Sequence, residues 1–504
     1  MNLKIYFTSD VHGYIYPTDY RDTSFKNQGY INIINSFEKD DNTIIIDGGD
    51  TIQGSPFTTY LSNQEFSNHP LAQVLNEGAY DYYILGNHDF NYGEEYLLKF
   101  IEQLNAKSLA ANVKYLKNLD LIQPFSVKKL KNGLKVAVLG ITTDFINIWE
   151  NENNLRNFNI TNTYKAVEDI INEIPQHDIL VGIYHGGFEY DLETGNKLSD
   201  TSENIAYKLC KDFPFNILLT GHQHQGIINK KVSDTYIAQT PANGENYIEI
   251  NLNYENGRII DINGEIKSPL PEGHPELSLK LLAWETQVQT WLDKPVGFLD
   301  VELIPSDHLD MALNGCLLAN FFNQIQLEES KADISCTSMA NSLKGFNKEV
   351  TVRDVVSTYV YPNTLVVKKV SGKVLKKGLE RSASYFEVDG DQVKIPDDFL
   401  KPKVAHYNYD YFSNITYTFD LSKPIGERVT SIKFREKEIG PDDTFTLVMN
   451  NYRASGTGGY DFYRDCKTVD EILIDMSEII INYFLKHEKV VVDKKKYLTI
   501  KAPK

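Results

Sequence analysis

Tyr82-Tyr83-Ile84-Leu85-Gly86-Asn87-His88-Asp89-Phe90-Asn91 joins four apolar residues to a glycine and then to an amide, an imidazole and a carboxylate. Four aliphatic or aromatic side chains in a row suit a strand buried on both faces, and the polar run after Gly86 cannot extend it into an apolar sheet. Chemistry is expected where this strand stops. One Asn-His pair in a turn is ordinarily a satisfied loop, so the weight lies in repetition.

Four further runs repeat the pattern. Residues 3–8 lead into Ser9-Asp10-Val11-His12, and residues 43–46 into Asp47-Gly48-Gly49-Asp50, whose paired glycines let backbone pack closely. Asp50 thereby stands at the rim as a carboxylate able to bridge two cations. Residues 179–184 end in His185-Gly186-Gly187, and residues 217–219 in Thr220-Gly221-His222-Gln223-His224. Ligands of open α/β sheets bind beyond the carboxyl ends of the strands, so these runs point to one shared rim. Asp, His and Asn without thiolates suit zinc, manganese or iron. Seven such residues, Asp10, His12, Asp50, Asn87, His185, His222 and His224, are too many for one ion. Two ions bridged by a carboxylate would clamp a phosphoryl group and lower the pKa of a bound water.

In their order, Asp10-x-His12, Gly48-Gly49-Asp50, Gly86-Asn87-His88-Asp89, His185 and Gly221-His222-Gln223-His224 resemble the five-block motif of the calcineurin-like metallophosphoesterases. The resemblance implies a β-sandwich flanked by helices. It also implies that Asp10, His12, Asp50 and His224 hold one metal, and Asp50, Asn87, His185 and His222 the other. His88 matches the family's non-ligand histidine, which contacts the phosphate and helps the leaving oxygen depart.

At 504 residues the chain is expected to hold two or three domains. No apolar run approaches the ~18 residues of a membrane helix, and four scattered cysteines form no C-x-x-C pair. A net charge of -18 argues against a nucleic-acid polymer as partner, while a small anion held by metals remains compatible. Met1 runs directly into the first strand without a signal-peptide pattern, which favours a cytoplasmic enzyme, with a truncated secreted chain as the alternative. Oligomeric state is not legible.

Helical patterns at 94–104, 163–174 and 200–210 fit crossovers of an α/β domain spanning 1–268. Pro269 to Pro275 breaks regular structure, and Leu277, Leu281, Trp284, Val288 and Trp291 give one apolar helical face, so 269–295 reads as linker and interdomain helix. In the remainder, 296–504, the runs around Tyr361-Pro362-Asn363-Thr364-Leu365 and Asn450 to Tyr460 resemble the 5'-nucleotidase C-terminal domain, implying a separate α+β fold. That family sandwiches the nucleobase between two aromatic rings. Tyr407 or Tyr409 is the candidate for the first ring, and Tyr460 or Phe462 for the second. Val469, Ile472, Leu473, Met476, Ile480, Tyr483 and Phe484 form an apolar stripe at helical spacing, read as a packing face of the last helix.

Two departures bear on the substrate. The 5'-nucleotidase pattern has Asp three residues after its catalytic His, where this chain has Asn91, and the arginine-bearing N-G-G-x-I-R block is replaced by Ser335 to Ser342. Both features resemble the bacterial 2',3'-cyclic-nucleotide 2'-phosphodiesterases with 3'-nucleotidase activity. The expected function is hydrolysis of 2',3'-cyclic nucleotides and 3'-nucleotides by two divalent metals (Mn, Zn or Fe), on a small-molecule nucleotide substrate. A 5'-nucleotidase or nucleotide-sugar diphosphatase is the alternative, and a catalytically weak nucleotide-binding sensor the second.

Overall fold

The computed structural model describes residues 1–501 apart from 196, 198–201, 362, 391, 402–403 and 473. The chain divides into two compact units, Met1–Thr290 and Trp291–Lys504. In the first, the strands are β1 (Asn2–Thr8), β2 (Thr43–Asp47), β3 (Tyr82–Ile84), β4 (Lys107–Leu109), β5 (Val113–Tyr115), β6 (Phe125–Lys129) and β7 (Lys135–Thr142). They continue with β8 (Phe158–Ile160), β9 (Ile179–His185), β10 (Ile217–Thr220), β11 (Ile227–Val232), β12 (Thr235–Gln239), β13 (Tyr247–Glu255) and β14 (Arg258–Lys267).

One sheet runs β14-β13-β1-β2-β3-β4, parallel from β1 to β4 and antiparallel through β13 and β14. The other runs β11-β12-β10-β9-β7-β6, with a parallel centre and antiparallel edges. Side chains alternate along each strand, and this decides the layers. Leu3, Ile5 and Phe7 of β1 and Ile44 and Ile46 of β2 meet Val136, Val138, Val181 and Ile183 of the opposite sheet in one core. Ala137, Leu139, Ile141 and Leu180 face the other way and pack against Val167 and Leu209 of the helices Thr163–Ile170 and Ala206–Asp212. The result is a sandwich of two sheets with helices outside. Of the helices expected, 94–104 is realised as Gly93–Ile101. The start of the one expected over 200–210 lies at residues 200 and 201, outside the described residues.

The helix Pro275–Leu292 buries Leu277, Leu281 and Val288. The boundary between the units falls in its last turn. The second unit has a five-stranded sheet in the order Asp410–Ser413, Ile334–Ser338, Thr444–Asn450, Leu365–Ser371, Thr468–Ile472. The helices Leu317–Ser330, Gly372–Ala383 and Met476–Lys486 cover a core that includes Phe322, Leu375 and Phe484. The long terminal stripe read from the sequence divides here. Val469 and Ile472 lie in a strand paired with Leu365–Ser371, Leu473 is outside the described residues, and the helix begins at Met476. Pairing along a sheet edge overrides the helical spacing of these residues. Among the described residues no helix is long and apolar enough to cross a membrane.

Candidate active site

Because β1, β2, β3, β9 and β10 are parallel within their sheets, the polar loops that follow them meet at one rim, and backbone hydrogen bonds lock those loops together. Asp10 N–H donates to the Gly49 carbonyl (2.8 Å) and His12 N–H to that of Asp50 (2.8 Å). His88 N–H donates to Asp50 Oδ1 (2.7 Å), and His222 N–H to Asp10 Oδ1 (2.9 Å). Asp89, read only as part of a motif in the sequence, is the knot: its carboxylate accepts from the N–H groups of Asp50, Thr51, Ile52 and Gly86 at 2.8–3.0 Å.

The packing is tight enough to dictate residue type. A Cβ on Gly49, whose φ is +97°, would lie 2.5 Å from Gly86 N, and one on Gly86 would run into Asp50 Oδ1. Asp10, His12, Asp50, His222 and His224 also have positive φ, between 52° and 68°. Such conformations cost about 1–3 kcal/mol each for non-glycine residues and persist where surrounding structure over-determines them.

The donor set can be read from hydrogen-bond bookkeeping. His12 Nδ1 faces the Gln53 carbonyl (3.0 Å) and His185 Nδ1 the Gly48 carbonyl (2.7 Å). A carbonyl only accepts, so both Nδ1 atoms carry hydrogen and each Nε2 of the neutral ring presents a lone pair. Those lone pairs point at other acceptors. His12 Nε2 lies 3.3 Å from His224 Nε2, which is 3.3 Å from Asp10 Oδ1. His185 Nε2 lies 3.2 Å from both Asp50 Oδ2 and Asn87 Oδ1, and Asn87 Oδ1 is 3.0 Å from His222 Nδ1. His222 Nε2 donates to Glu203 Oε1 (2.9 Å), which leaves its Nδ1 as the inward lone pair.

Converging acceptors with two carboxylates buried to 1% exposure or less call for positive charge. Two groups, Asp10-His12-His224 and Asp10-Asp50-His185, have ligand atoms within 4.8 Å of one another. Charge bookkeeping shows the same pull. Burial penalises the Asp10 carboxylate, but the His224 hydrogen bond and the His185 charge outweigh it and hold the carboxyl down to about 2. Burial likewise disfavours protonation of His185, yet Asp50 overrides it and pushes the imidazole up to about 10. For His12 burial wins, and the ring is pushed down to about 4, the neutral form a metal requires. All seven ligand-type residues named from the sequence thus meet at one place, and their donors fit two divalent cations. His88 stands beside them, its ring 5.5 Å from that of His12.

Three neighbours escaped the sequence reading. Glu203 bonds His222, and its own carbonyl is held by Tyr184 OH (2.9 Å) and Thr143 Oγ1 (3.1 Å). Trp149 stacks on the His222 ring at 5.5 Å. Glu150 is bonded to Asn91. None carries a motif, and only the fold brings them close.

In the second unit the aromatic candidates separate. Tyr409 is 2% exposed and packs on Tyr385 (4.9 Å), Tyr411 (4.7 Å) and Phe386 (5.8 Å), while Tyr460 is fully buried under the Arg453 guanidinium (4.0 Å) and beside Tyr463. Their faces are occupied by the core, so the expectation that they stack a base is corrected: they are structural rings. Phe462 is partly buried against the same core. Tyr407 is also partly buried, with edge contacts to the exposed Tyr361 (6.1 Å) and Tyr452 (6.2 Å).

Comparison with known proteins agrees with this geometry. Residues 3–226 match the calcineurin-like phosphoesterase family and residues 295–465 the 5'-nucleotidase C-terminal domain. A Staphylococcus aureus protein of known structure, provisionally designated a 5'-nucleotidase, is 32% identical, with a TM-score of 0.80 over 99% of this chain and all of its own. The 2',3'-cyclic-nucleotide 2'-phosphodiesterase/3'-nucleotidase of Salmonella typhimurium is 26% identical over 90% of this chain and 82% of its own length. The NAD 5'-nucleotidase of Haemophilus influenzae is 21% identical over 97% and 90%. The chain belongs to the family of metal-dependent phosphoester hydrolases that couple a calcineurin-like phosphoesterase domain to a 5'-nucleotidase C-terminal domain.

Proposed function

We propose that this enzyme opens 2',3'-cyclic nucleotides to 3'-nucleotides and hydrolyses 3'-nucleotides to nucleosides. The observation that carries a phosphoester reading is the convergence of imidazole nitrogens and carboxylate oxygens on one gap with His88 alongside. The cyclic and 3' preference is supported by the Salmonella relative and by the amide, in place of a carboxylate, at Asn91.

Asp10, His12, Asp50 and His224 would hold one divalent ion, and Asp50, Asn87, His185 and His222 the other, with Asp50 shared. Bound there, the ions supply the charge that draws in a phosphoryl group and acidifies water. The remaining work belongs to the chain. Asp89 and the interlocked loops hold the ligands without room to rearrange, which is the preorganisation that electrostatic catalysis requires. His88, outside the ligand groups, would stabilise charge on the phosphoryl oxygens and give a proton to the departing ribose oxygen. Tyr407 and Phe462, both partly buried, are the remaining aromatic candidates for contact with a nucleobase.

The test is phosphate release by the manganese-loaded protein from 2',3'-cyclic AMP, 3'-AMP and 5'-AMP, with added phosphatase in a parallel reaction for the cyclic substrate. Preference for the first two is expected. Preference for 5'-AMP would favour the 5'-nucleotidase reading that the Staphylococcus and Haemophilus relatives support.

A further inference from the structure

His88 Nδ1 lies 2.8 Å from Asn91 Oδ1, and Asn91 Nδ2 donates to Glu150 Oε2 at 2.6 Å. Glu150 is 9% exposed and caps the C-terminus of the short helix Ile146–Trp149. Its other oxygen accepts from Asn151 N (2.7 Å) and Asn154 Nδ2 (2.9 Å), and Asn154 Nδ2 also reaches the Asn91 carbonyl (3.3 Å). Three donors thus converge on this one carboxylate.

We infer that Glu150 is a positioning residue for His88, acting through Asn91. With donors facing both of its oxygens the Glu150 carboxylate acts as an acceptor, so the Asn91 amide has one orientation: NH2 toward Glu150 and oxygen toward His88. An amide oxygen facing an imidazole demands a donor, so Nδ1 of His88 carries hydrogen and Nε2 is the atom presented to substrate. The carboxylate that fixes the imidazole has moved one side chain outward, with an amide inserted between. This rests on the reading of His88 as the residue that serves the departing oxygen. In that step water adds OH to phosphorus as the bond to the ribose 2'-oxygen breaks. For this step His88 carries hydrogen on both ring nitrogens: Nε2–H passes its proton to that oxygen, leaving the Nδ1–H imidazole held by Asn91, and the proton lost by the water restores the imidazolium. A p-nitrophenolate leaving group departs as a stable anion and has little need of that proton.

Glu150→Gln is a nearly isosteric test with a forced outcome. The new NH2 must face either the two donors of Asn151 and Asn154 or the single donor of Asn91. Facing Asn91 leaves fewer donors opposed, and Asn91 must then flip, turning its own NH2 toward His88. Adding Asn91→Asp removes the conflict: the carboxylate so introduced accepts from the new amide on one side and from His88 Nδ1–H on the other. Glu150→Gln is therefore expected to lower kcat for 2',3'-cyclic AMP by ~10-fold or more, the scale of outer-sphere orienting partners, with KM changed far less. The loss on bis(p-nitrophenyl) phosphate should be several-fold smaller, and the double variant should recover most of kcat.

A second readout needs no turnover. In the zinc-loaded protein, the 15N resonances of His88, assigned by loss in His88→Gln, should show the Nδ1–H tautomer in the wild type and the double variant, and Nε2–H in Glu150→Gln. Equal losses on both substrates without rescue, or an unchanged tautomer in Glu150→Gln, would overturn the inference. Failure of the wild type on every nucleotide, with the tautomer behaving as stated, would instead sink the substrate reading and leave the positioning role standing.

Discussion

Asp89→Asn is the substitution that most directly joins folding to chemistry in this molecule. The two carboxylate oxygens accept four backbone N–H groups, Asp50 (2.9 Å) and Gly86 (2.8 Å) on Oδ2, Thr51 (2.8 Å) and Ile52 (3.0 Å) on Oδ1. Asparagine keeps the shape but turns one oxygen into a donor, so two buried N–H groups face an NH2 whichever way the amide is placed. Each buried donor left unsatisfied costs about 1–3 kcal/mol. Against that stands relief of a charge that burial and the adjacent Asp50 disfavour, pushing the Asp89 carboxyl up. A net loss of about 2–5 kcal/mol follows, or roughly 5–15 °C for a domain of this size. Asp50, Thr51 and Ile52 all hang on this carboxylate, so either placement of the amide loosens the loop that carries the Asp50 side chain, and metal content should fall with stability. Scanning calorimetry of metal-free protein should show the transition of the first unit moving while that of the second stays. Elemental analysis after dialysis against manganese reports the metal. A melting temperature within about 2 °C of wild type together with full metal content would refute the view that Asp89 holds the loops in place.

His69 caps the helix Pro70–Glu77 through Nδ1 and sits among Phe66, Tyr96 and Phe100. Burial pushes its imidazole down to about 3, whereas the unfolded chain protonates near 6.5, so its stabilisation is whole above about pH 6.5 and drains as pH falls toward 3. About 2 kcal/mol should be gone by pH 5, and urea unfolding at pH 7.5 and 5 should show His69→Gln losing correspondingly less. In the second unit Arg453 and Asp410, both at most 2% exposed, form a two-pronged pair at 2.8 and 3.0 Å. Arg453→Met strands Asp410 and should cost about 3–5 kcal/mol by chemical denaturation. Little change on restoring neutrality with Arg453→Met/Asp410→Asn would show that packing, rather than the lost charge partner, dominates. Glu203→Ala frees His222 Nε2 from its acceptor, and metal affinity, measured by competition with a chelator, should weaken ~10-fold. Unaltered affinity would mean that Trp149 stacking alone orients the ring.

What was legible in the sequence, and what was not, follows from how each feature is encoded. Parallel strands write their chemistry at one end, so Asp10, Asp50, Asn87, His185 and His222 announced a shared rim before any coordinates, and their convergence follows from the β1-β2-β3 and β9-β10 pairings. The left-handed backbone at Asp10, His12, Asp50, His222 and His224 was invisible, because even aspartate and histidine, which tolerate it better than most residues, adopt it in only a small minority of cases; the surrounding hydrogen bonds impose it. Tyr409 and Tyr460 were misread because an aromatic ring in a loop looks the same in sequence whether its faces meet a base or an arginine. Asp410 immediately after Tyr409, and Arg453 seven residues before Tyr460, were the available signs that both segments close over a buried ion pair.

Glu150 shows a different limit, and also a way past it. It stands far from His88 in sequence and only the fold brings it to Asn91, so no local pattern could connect them. Yet the amide at Asn91 was itself a clue, since an imidazole that must hold one orientation needs an oriented partner, and a primary amide can turn either face toward it. Something must break the symmetry of that amide. Carboxylates and backbone carbonyls accept without donating, so an Asn beside a functional histidine predicts one of the two on its far side. Here the acceptor that reaches Asn91 is a carboxylate, that of Glu150, on which three donors converge.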